Sequence, residues 1–131
     1  MKRTQLRKVS KTTTSRIQKK CDALLTPIII KRSPKCMLCP NKTQVAHHHV
    51  HKSKSNALRY DLDNLINLCN SCHFALHHNE SFHASIIVKI KGLDWFSELE
   101  RKKNMLTVKT NVGWYKENLE RLENILSTGT Q

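Results

Sequence analysis

The chain has 131 residues, with 23 Lys and Arg against 10 Asp and Glu, so its formal net charge is +13. This length is typical of one domain. The longest apolar run has only four residues, whereas a membrane span needs about 20. The N-terminal charges are not followed by the apolar stretch of a secretory signal. We therefore expect a small basic protein of the cytoplasm with no membrane contact, and exclude transmembrane and collagen-like classes.

The positive charge is concentrated at the N-terminus, since residues 1–35 hold 11 basic side chains and one acidic side chain. Such clusters bind polyanions because each contact with a phosphate releases counterions. Residues 1–14 have no apolar periodicity and predict a flexible basic arm. The arm's expected nucleic-acid contacts are Lys2, Arg3, Arg7, Lys8 and Lys11. A solvated tail without a partner is the alternative.

The rest of the chain predicts a mixed α+β fold, with one domain over residues 15–131. A first helix would begin at Ser15, carry Cys21 on its apolar face, and end or kink at Pro27. Short strands are predicted over 44–50 and 64–68, followed by a short helix over 71–79 and further helices between 83 and 126 with a break at Gly92. The apolar stripe of the last helix suits either the core or a homodimer contact.

Four of the five cysteines form two Cys-x-x-Cys pairs, and the 29 residues from 40 to 68 lie between the pairs. Four thiolates suit a tetrahedral Zn²⁺ ion. Two disulfides are the alternative, which the odd cysteine and the lack of a signal sequence disfavour. The sequence therefore predicts one structural Zn²⁺ bound by Cys36, Cys39, Cys69 and Cys72.

Histidines follow each cysteine pair. His73 and His77 are four residues apart, so on a helix they share a face and can bind one ion. The adjacent His47 and His48 would point to opposite sides of a strand, so one can face a metal while the other faces a different part of a cleft. His49 and His51 are expected to face solvent or to contact phosphate. His78 and His83 are expected to be surface residues.

These segments together resemble the HNH endonucleases, which have the ββα-metal (His-Me finger) fold. The similarity lies in CMLC from Cys36, VAHH ending at His48, DNL around Asn64, and CNSCH ending at His73, with His77 after it. It covers about residues 36–78, and the bracketing cysteines are similar to those of the zinc-stapled subgroup. The resemblance implies a small zinc-stapled ββα-metal core over 36–78 with flanking N- and C-terminal helices.

The resemblance also implies an activity, the metal-dependent hydrolysis of phosphodiester bonds in DNA. His48 would be the general base, and Asn64 would hold it through a hydrogen bond. His47 and His73 would bind the catalytic ion, with His77 as a third ligand or a phosphate contact. Most such nucleases use Mg²⁺ or Mn²⁺, although imidazole ligands also suit Zn²⁺ or Ni²⁺.

Two features of the segment between the base and Asn64 leave alternatives. His48 and His49 could exchange roles, although the spacing to Asn64 favours His48. Lys52, Lys54 and Arg59 are expected to contact DNA, or else to form an ordinary basic loop.

The basic N-terminus, HHVHKS from His48 and LRYDLDN from Leu58 are also similar to the phage NinG (Rap) recombination nucleases. That similarity implies a structure-specific nuclease acting on branched recombination intermediates. We expect a phage-encoded enzyme that cleaves branched or double-stranded DNA in the host cytoplasm, with a second copy of the chain or a phage DNA-processing protein as the candidate protein partners. The chain departs from that family in two ways. The family tends to carry Asn where this chain has His73, and it lacks the doubled His. The alternatives are a non-catalytic zinc-containing nucleic-acid-binding module and a packaging or recombination accessory.

Overall fold

The computed structural model describes the backbone of residues 2–129 and the side chains of residues 13–129. This part of the chain is a small mixed α+β protein with five α-helices and one two-stranded sheet. Its elements are α1 (Lys2–Arg32), β1 (Val45–His48), β2 (Leu65–Leu68), α2 (Asn70–His78), α3 (Glu80–Lys91), α4 (Leu93–Met105) and α5 (Val112–Thr128).

The first helix is longer than the sequence predicted. Its backbone is helical from Lys2, so the predicted start at Ser15 was wrong, whereas the flexibility of the arm over residues 1–14 stays a prediction. The helix also continues through Pro27 to Arg32, because the burial of Ile28 and Ile29 offsets a proline cost of about 3 kcal/mol. Although α1 has 31 residues, neither it nor any other helix of the described residues is apolar enough to cross a lipid bilayer.

The chain divides into two compact units. The single domain expected over residues 15–131 stays a prediction. One unit comprises Met1–Ile28 and Lys109–Gln131, and the other comprises Ile29–Val108. In the first unit, Cys21 is fully buried and its thiol donates to the Tyr115 carbonyl over 3.4 Å. Cys21 is therefore a core residue, as predicted.

The second unit contains the sheet and helices α2 to α4. β1 and β2 are antiparallel, with Val45 opposite Leu68 and His48 opposite Leu65. The predicted strands and the short helix after them are thus confirmed, and the order of elements is β1, β2, α2. The main apolar core of this unit includes five residues with no more than 1% exposure: Ile66, Leu68, Cys69, Leu76 and Ile87.

Two polar contacts attach α4 to the turn before β2. The Trp95 indole donates to the Asp63 carbonyl over 2.7 Å. The Lys102 ammonium donates to the Asp61 carboxylate, also over 2.7 Å. Because each joins residues more than 30 positions apart, they hold α4 beside the segment that leads into the sheet.

Gly92 separates α3 from α4, at the break that the sequence predicted. Its backbone has φ 101° and ψ 158°, a conformation that side chains with a Cβ avoid. No heavy atom lies within 4 Å of a Cβ built at this position, so the requirement for glycine is one of backbone conformation and not of space.

Gly92→Ala should therefore destabilise the protein by about 1–3 kcal/mol, the usual cost of such a conformation. Gly113→Ala is the control, because Gly113 lies in the first turn of α5 without a positive φ, and the change there should be neutral or slightly stabilising. Urea unfolding of both variants tests this expectation. An equal effect of the two substitutions would contradict it.

Candidate metal sites

The four predicted cysteines lie together, and two different local structures place them. Cys36 and Cys39 lie in a hairpin-like loop that is closed by a bridge between Lys35 and Lys42. Cys69 caps the N-terminus of α2, where its sulfur accepts from the Cys72 amide over 3.4 Å. The four sulfur atoms all lie within 4.8 Å of one another.

The sulfur geometry suits a metal ion and excludes disulfides. All four thiols are free, and the Sγ atoms of Cys39 and Cys69 are 3.5 Å apart. Sulfurs on a tetrahedral Zn²⁺ with bonds near 2.3 Å would be about 3.8 Å apart, whereas a disulfide needs about 2.05 Å. The cluster could therefore hold a structural metal such as zinc.

The electrostatics of the cluster also favour a cation. The hydrogen bond from the Cys72 amide lowers the pKa of the Cys69 thiol to about 6. Burial raises the pKa of the Cys72 thiol, so four thiolates would not form here without a compensating positive charge. A divalent ion bound by the four sulfurs would supply that charge.

Three of the predicted histidines form a second cluster. His47 comes from β1 and is 6% exposed, while His73 and His77 lie one turn apart on α2. Their candidate ligand nitrogens lie within 4.8 Å of one another, and the Nε2 atoms of His73 and His77 are 3.0 Å apart. The His47 ring centroid is 5.2 Å from that of His73 and 6.0 Å from that of His77.

The three imidazoles are suited to bind a cation. Burial, together with the neighbouring imidazoles, lowers the pKa of His47 to about 3, so its ring is neutral at pH 7 and keeps a lone pair. Burial also lowers the pKa of His73. Nitrogens on a tetrahedral ion with bonds of 2.0–2.1 Å would be about 3.3 Å apart, close to the observed separation of His73 and His77.

His48, the predicted base, is oriented by a backbone group. Its Nε2 lies 2.9 Å from the carbonyl oxygen of Arg59. Because a carbonyl can only accept, Nε2 carries the proton in the neutral ring and Nδ1 keeps its lone pair. The sequence could not indicate this partner, since every residue has a carbonyl.

Asn64 does not hold His48 by the predicted hydrogen bond in the described part of the chain. It is fully buried, and its Oδ1 accepts from the Val50 amide over 2.7 Å. Its Nδ2 donates to the carbonyls of Val50 and Leu58 over 2.9 and 3.2 Å. Asn64 therefore fixes the loop after β1, and this loop continues from Leu58 to the carbonyl of Arg59 that meets His48.

His49 and His51 were expected to face solvent or to contact phosphate; neither is fully exposed, and the phosphate contact stays a prediction. His49 is half-buried, with its ring centroid 4.8 Å from that of Trp95. His51 is also half-buried, and its Nε2 pairs with the carboxylate of Glu80 at the start of α3. Sequence reasoning missed Glu80, because 29 residues separate this pair along the chain.

The outer histidines and the basic residues complete the predicted set. His78 is exposed as expected, whereas His83 is half-buried and its Nδ1 bonds the Asn79 carbonyl.

Two of the loop's basic residues, Lys52 and Lys54, are exposed. Arg59 is half-buried, with its guanidinium 5.7 Å from the centre of the Tyr60 ring. The basic side chains of the arm lie outside the described side chains: Lys2, Arg3, Arg7, Lys8 and Lys11.

The two clusters therefore occupy one continuous stretch of chain, from the loop before β1 to the end of α2. Comparisons with protein-family models, with curated proteins and with solved structures found no match to this chain. Its function has to be inferred from the chemistry of the two clusters and their surroundings.

Cys69→Ser should lower the zinc content by one ion per chain and give insoluble or molten protein. Structural zinc contributes about 10–16 kcal/mol of apparent binding free energy in small domains, comparable to a whole fold's stability. Elemental analysis and circular dichroism provide the measurement. Cys21→Ser is the matched control and should keep its zinc, because Cys21 lies outside the cluster. A well-folded protein without zinc would overturn the assignment.

Asn64→Ala should reduce the free energy of unfolding by about 2–4 kcal/mol, since it removes three buried hydrogen bonds and leaves both the amide and the carbonyl of Val50 without their partner. Asn67→Ala, which removes only a bond to the Lys35 carbonyl, should cost less than about 1 kcal/mol. Urea unfolding separates the two. If both variants lost the same stability, the loop would not depend on the Asn64 amide.

Proposed function

We propose that this chain is a metal-dependent DNA endonuclease of the HNH class, which hydrolyses phosphodiester bonds. The observation that carries the proposal is the convergence of His47 from β1 with His73 and His77 from α2 in the order β1, β2, α2. His48 lies next to the first of these ligands. A protein that only binds nucleic acid has no physical need for this arrangement.

The chemistry assigns a role to each group. A divalent cation at the three histidines would offset the charge that develops on the phosphate and on the leaving 3′-oxygen. His48 would take a proton from the attacking water at Nδ1, while Nε2 donates to the Arg59 carbonyl. The oxygen of that water would then form a bond to phosphorus as the bond to the 3′-oxygen breaks. Asn64 acts through the loop that it fixes.

The choice of cation follows from the ligand set. Three nitrogen ligands suit Zn²⁺ or Ni²⁺ by their softness, whereas the resemblance to HNH enzymes favours Mg²⁺ or Mn²⁺. In the latter case the remaining positions around the ion would be filled by water and phosphate oxygens, which these hard cations prefer. All four metals therefore belong in an activity test.

The substrate and setting are also part of the proposal. The net charge of +13 supports a polyanionic partner. The similarity of the N-terminal half to NinG nucleases favours branched DNA as the substrate, a phage origin, the host cytoplasm as the location, and a role in recombination or DNA processing.

A non-catalytic zinc-containing nucleic-acid-binding module, or a packaging accessory, is the second candidate. It is favoured by the cysteine cluster and the basic charge, neither of which requires catalysis. Binding without cleavage of any substrate under any metal would support it. An accessory would cut weakly alone and strongly with its partner.

His48→Ala should lower the cleavage rate about 10²–10⁴-fold, the usual contribution of a general base. Fold, zinc content and DNA binding should be retained, because a half-buried imidazole at the end of β1 adds little to the core. Raising the pH should restore part of the activity, since hydroxide can replace the missing base. Single-turnover cleavage of supercoiled plasmid, linear duplex and a four-way junction measures this with Mg²⁺, Mn²⁺, Ni²⁺ or Zn²⁺.

His73→Ala provides the contrast, because it removes a ligand of the ion: the metal preference should change and a higher pH should not restore cleavage. His83→Ala, on α3, is the control and should cut at the wild-type rate. If His49→Ala abolished cleavage while His48→Ala did not, the roles of the two histidines would be exchanged. If neither change had an effect, or the wild type never cut, the proposal would fail.

A further inference from the structure

Two neighbouring cavities lie between the loop after β1 and the end of α4. The first has a volume of about 190 Å³, and its lining comprises His49, Val50, His51, Lys54, Glu100 and Lys103. The second has a volume of about 180 Å³ and shares Lys54 and Lys103 with the first. Its lining also offers hydrogen-bonding side chains from Ser55, Asn56 and Thr107. We refer to the two cavities together as the lysine groove.

One end of the lysine groove adjoins the three-histidine cluster. His51 lines the first cavity, and its ring centroid is 6.2 Å from that of His47. The Glu80 carboxylate pairs with the His51 imidazole. This pairing reduces the repulsion that Glu80 would exert on a nearby anion. A polymer whose phosphate lay at the histidine cluster could therefore continue directly into the groove.

The lysine and glutamate side chains that line the groove are Lys54, Lys103 and Glu100. Lys54 is exposed and has no ion-pair partner among the described residues. Lys103 also lines both cavities, but its ammonium is 2.9 Å from the carboxylate of Glu100. Lys54 thus supplies an uncompensated positive charge at the point that the two cavities share.

We propose that the lysine groove binds the sugar–phosphate backbone of one DNA strand, on one side of the phosphate that lies at the histidine cluster. This inference rests on the proposed function. Lys54 contacts a phosphate of that strand, and Lys103 adds a contact that Glu100 weakens. The hydroxyl and amide groups of Ser55, Asn56 and Thr107 provide hydrogen bonds to sugar and phosphate oxygens, which read no base sequence.

The test measures the affinity of the full chain for a fluorescein-labelled single-stranded DNA 20-mer at several salt concentrations, with no divalent cation added. Gel electrophoresis after each titration checks that the oligonucleotide is intact. Lys54→Gln should weaken binding about 3- to 10-fold and reduce the slope of log K against log[salt] by about 0.7, the value for one phosphate contact on a single strand. Lys89→Gln, an equal charge change at an exposed position on α3, is the control and should change the affinity less than 2-fold.

Glu100→Gln gives an effect of opposite sign. Removing this carboxylate frees Lys103 and should tighten binding about 2- to 5-fold, while Glu98→Gln on the same helix should leave affinity unchanged. Equal effects of Lys54→Gln and Lys89→Gln, or no difference between the two glutamate variants, would overturn the inference. Because binding is measured without cleavage, a Lys54-dependent affinity in a protein that never cuts would reject the nuclease proposal and keep the groove. If the protein cleaved DNA but Lys54→Gln left its DNA affinity unchanged, the groove inference would fail and the nuclease proposal would stand.

Discussion

The second unit depends on the contact between the two cysteine pairs. This contact joins the loop before β1 to the first turn of α2, two segments that are distant in the sequence. Cys69 caps α2, Cys72 lies in its first turn, and His73 is the next residue. The position of the sulfur atoms therefore sets where the helix begins and which of its faces is turned towards β1. A unit of this size with a small aliphatic core has little other means of fixing that geometry.

A single buried amide organises the other side of the site. The segment between β1 and the turn at residues 62–64 has no long element of regular structure, so its backbone groups need partners elsewhere. Asn64 supplies partners for Val50 and Leu58 at once. This explains how a loop of about a dozen residues can present a carbonyl to His48 at a defined distance. The loop's order therefore comes from these polar contacts together with the burial of Val50, Leu58 and Tyr60.

Much of this arrangement could be predicted from the sequence, because regular spacing carries it. The Cys-x-x-Cys pairs and the four-residue interval from His73 to His77 indicate ligands that share a turn or a helix face, and both sets lie together. Gly92 marked a break because its backbone conformation excludes other residues. The first helix does not end at Pro27, since the burial of Ile28 and Ile29, a tertiary effect, outweighs the local preference of proline; the kink expected there as the alternative stays a prediction.

The partners of His48, His51 and Asn64 could not be predicted for a different reason. A backbone carbonyl such as that of Arg59 has no signature in the sequence. The pairing of His51 with Glu80 depends on the path of the chain over many residues. Asparagine can bond to a side chain or to the backbone, and the residue type alone does not distinguish these. Sequence spacing thus identifies which side chains lie close together as candidate ligands, and the loop conformation decides what orients them.

Because Cys72 and His73 are consecutive residues, ions bound at the two clusters would be thermodynamically linked. An ion held by the thiolates would fix the backbone from which the imidazole ligands project, and would spare the second ion the entropy of ordering that turn. By reciprocity, an ion at the imidazoles would increase the affinity of the thiolates for theirs by the same factor. Oxidation of the thiols would therefore weaken cation binding at the imidazoles, although no histidine atom would be chemically altered.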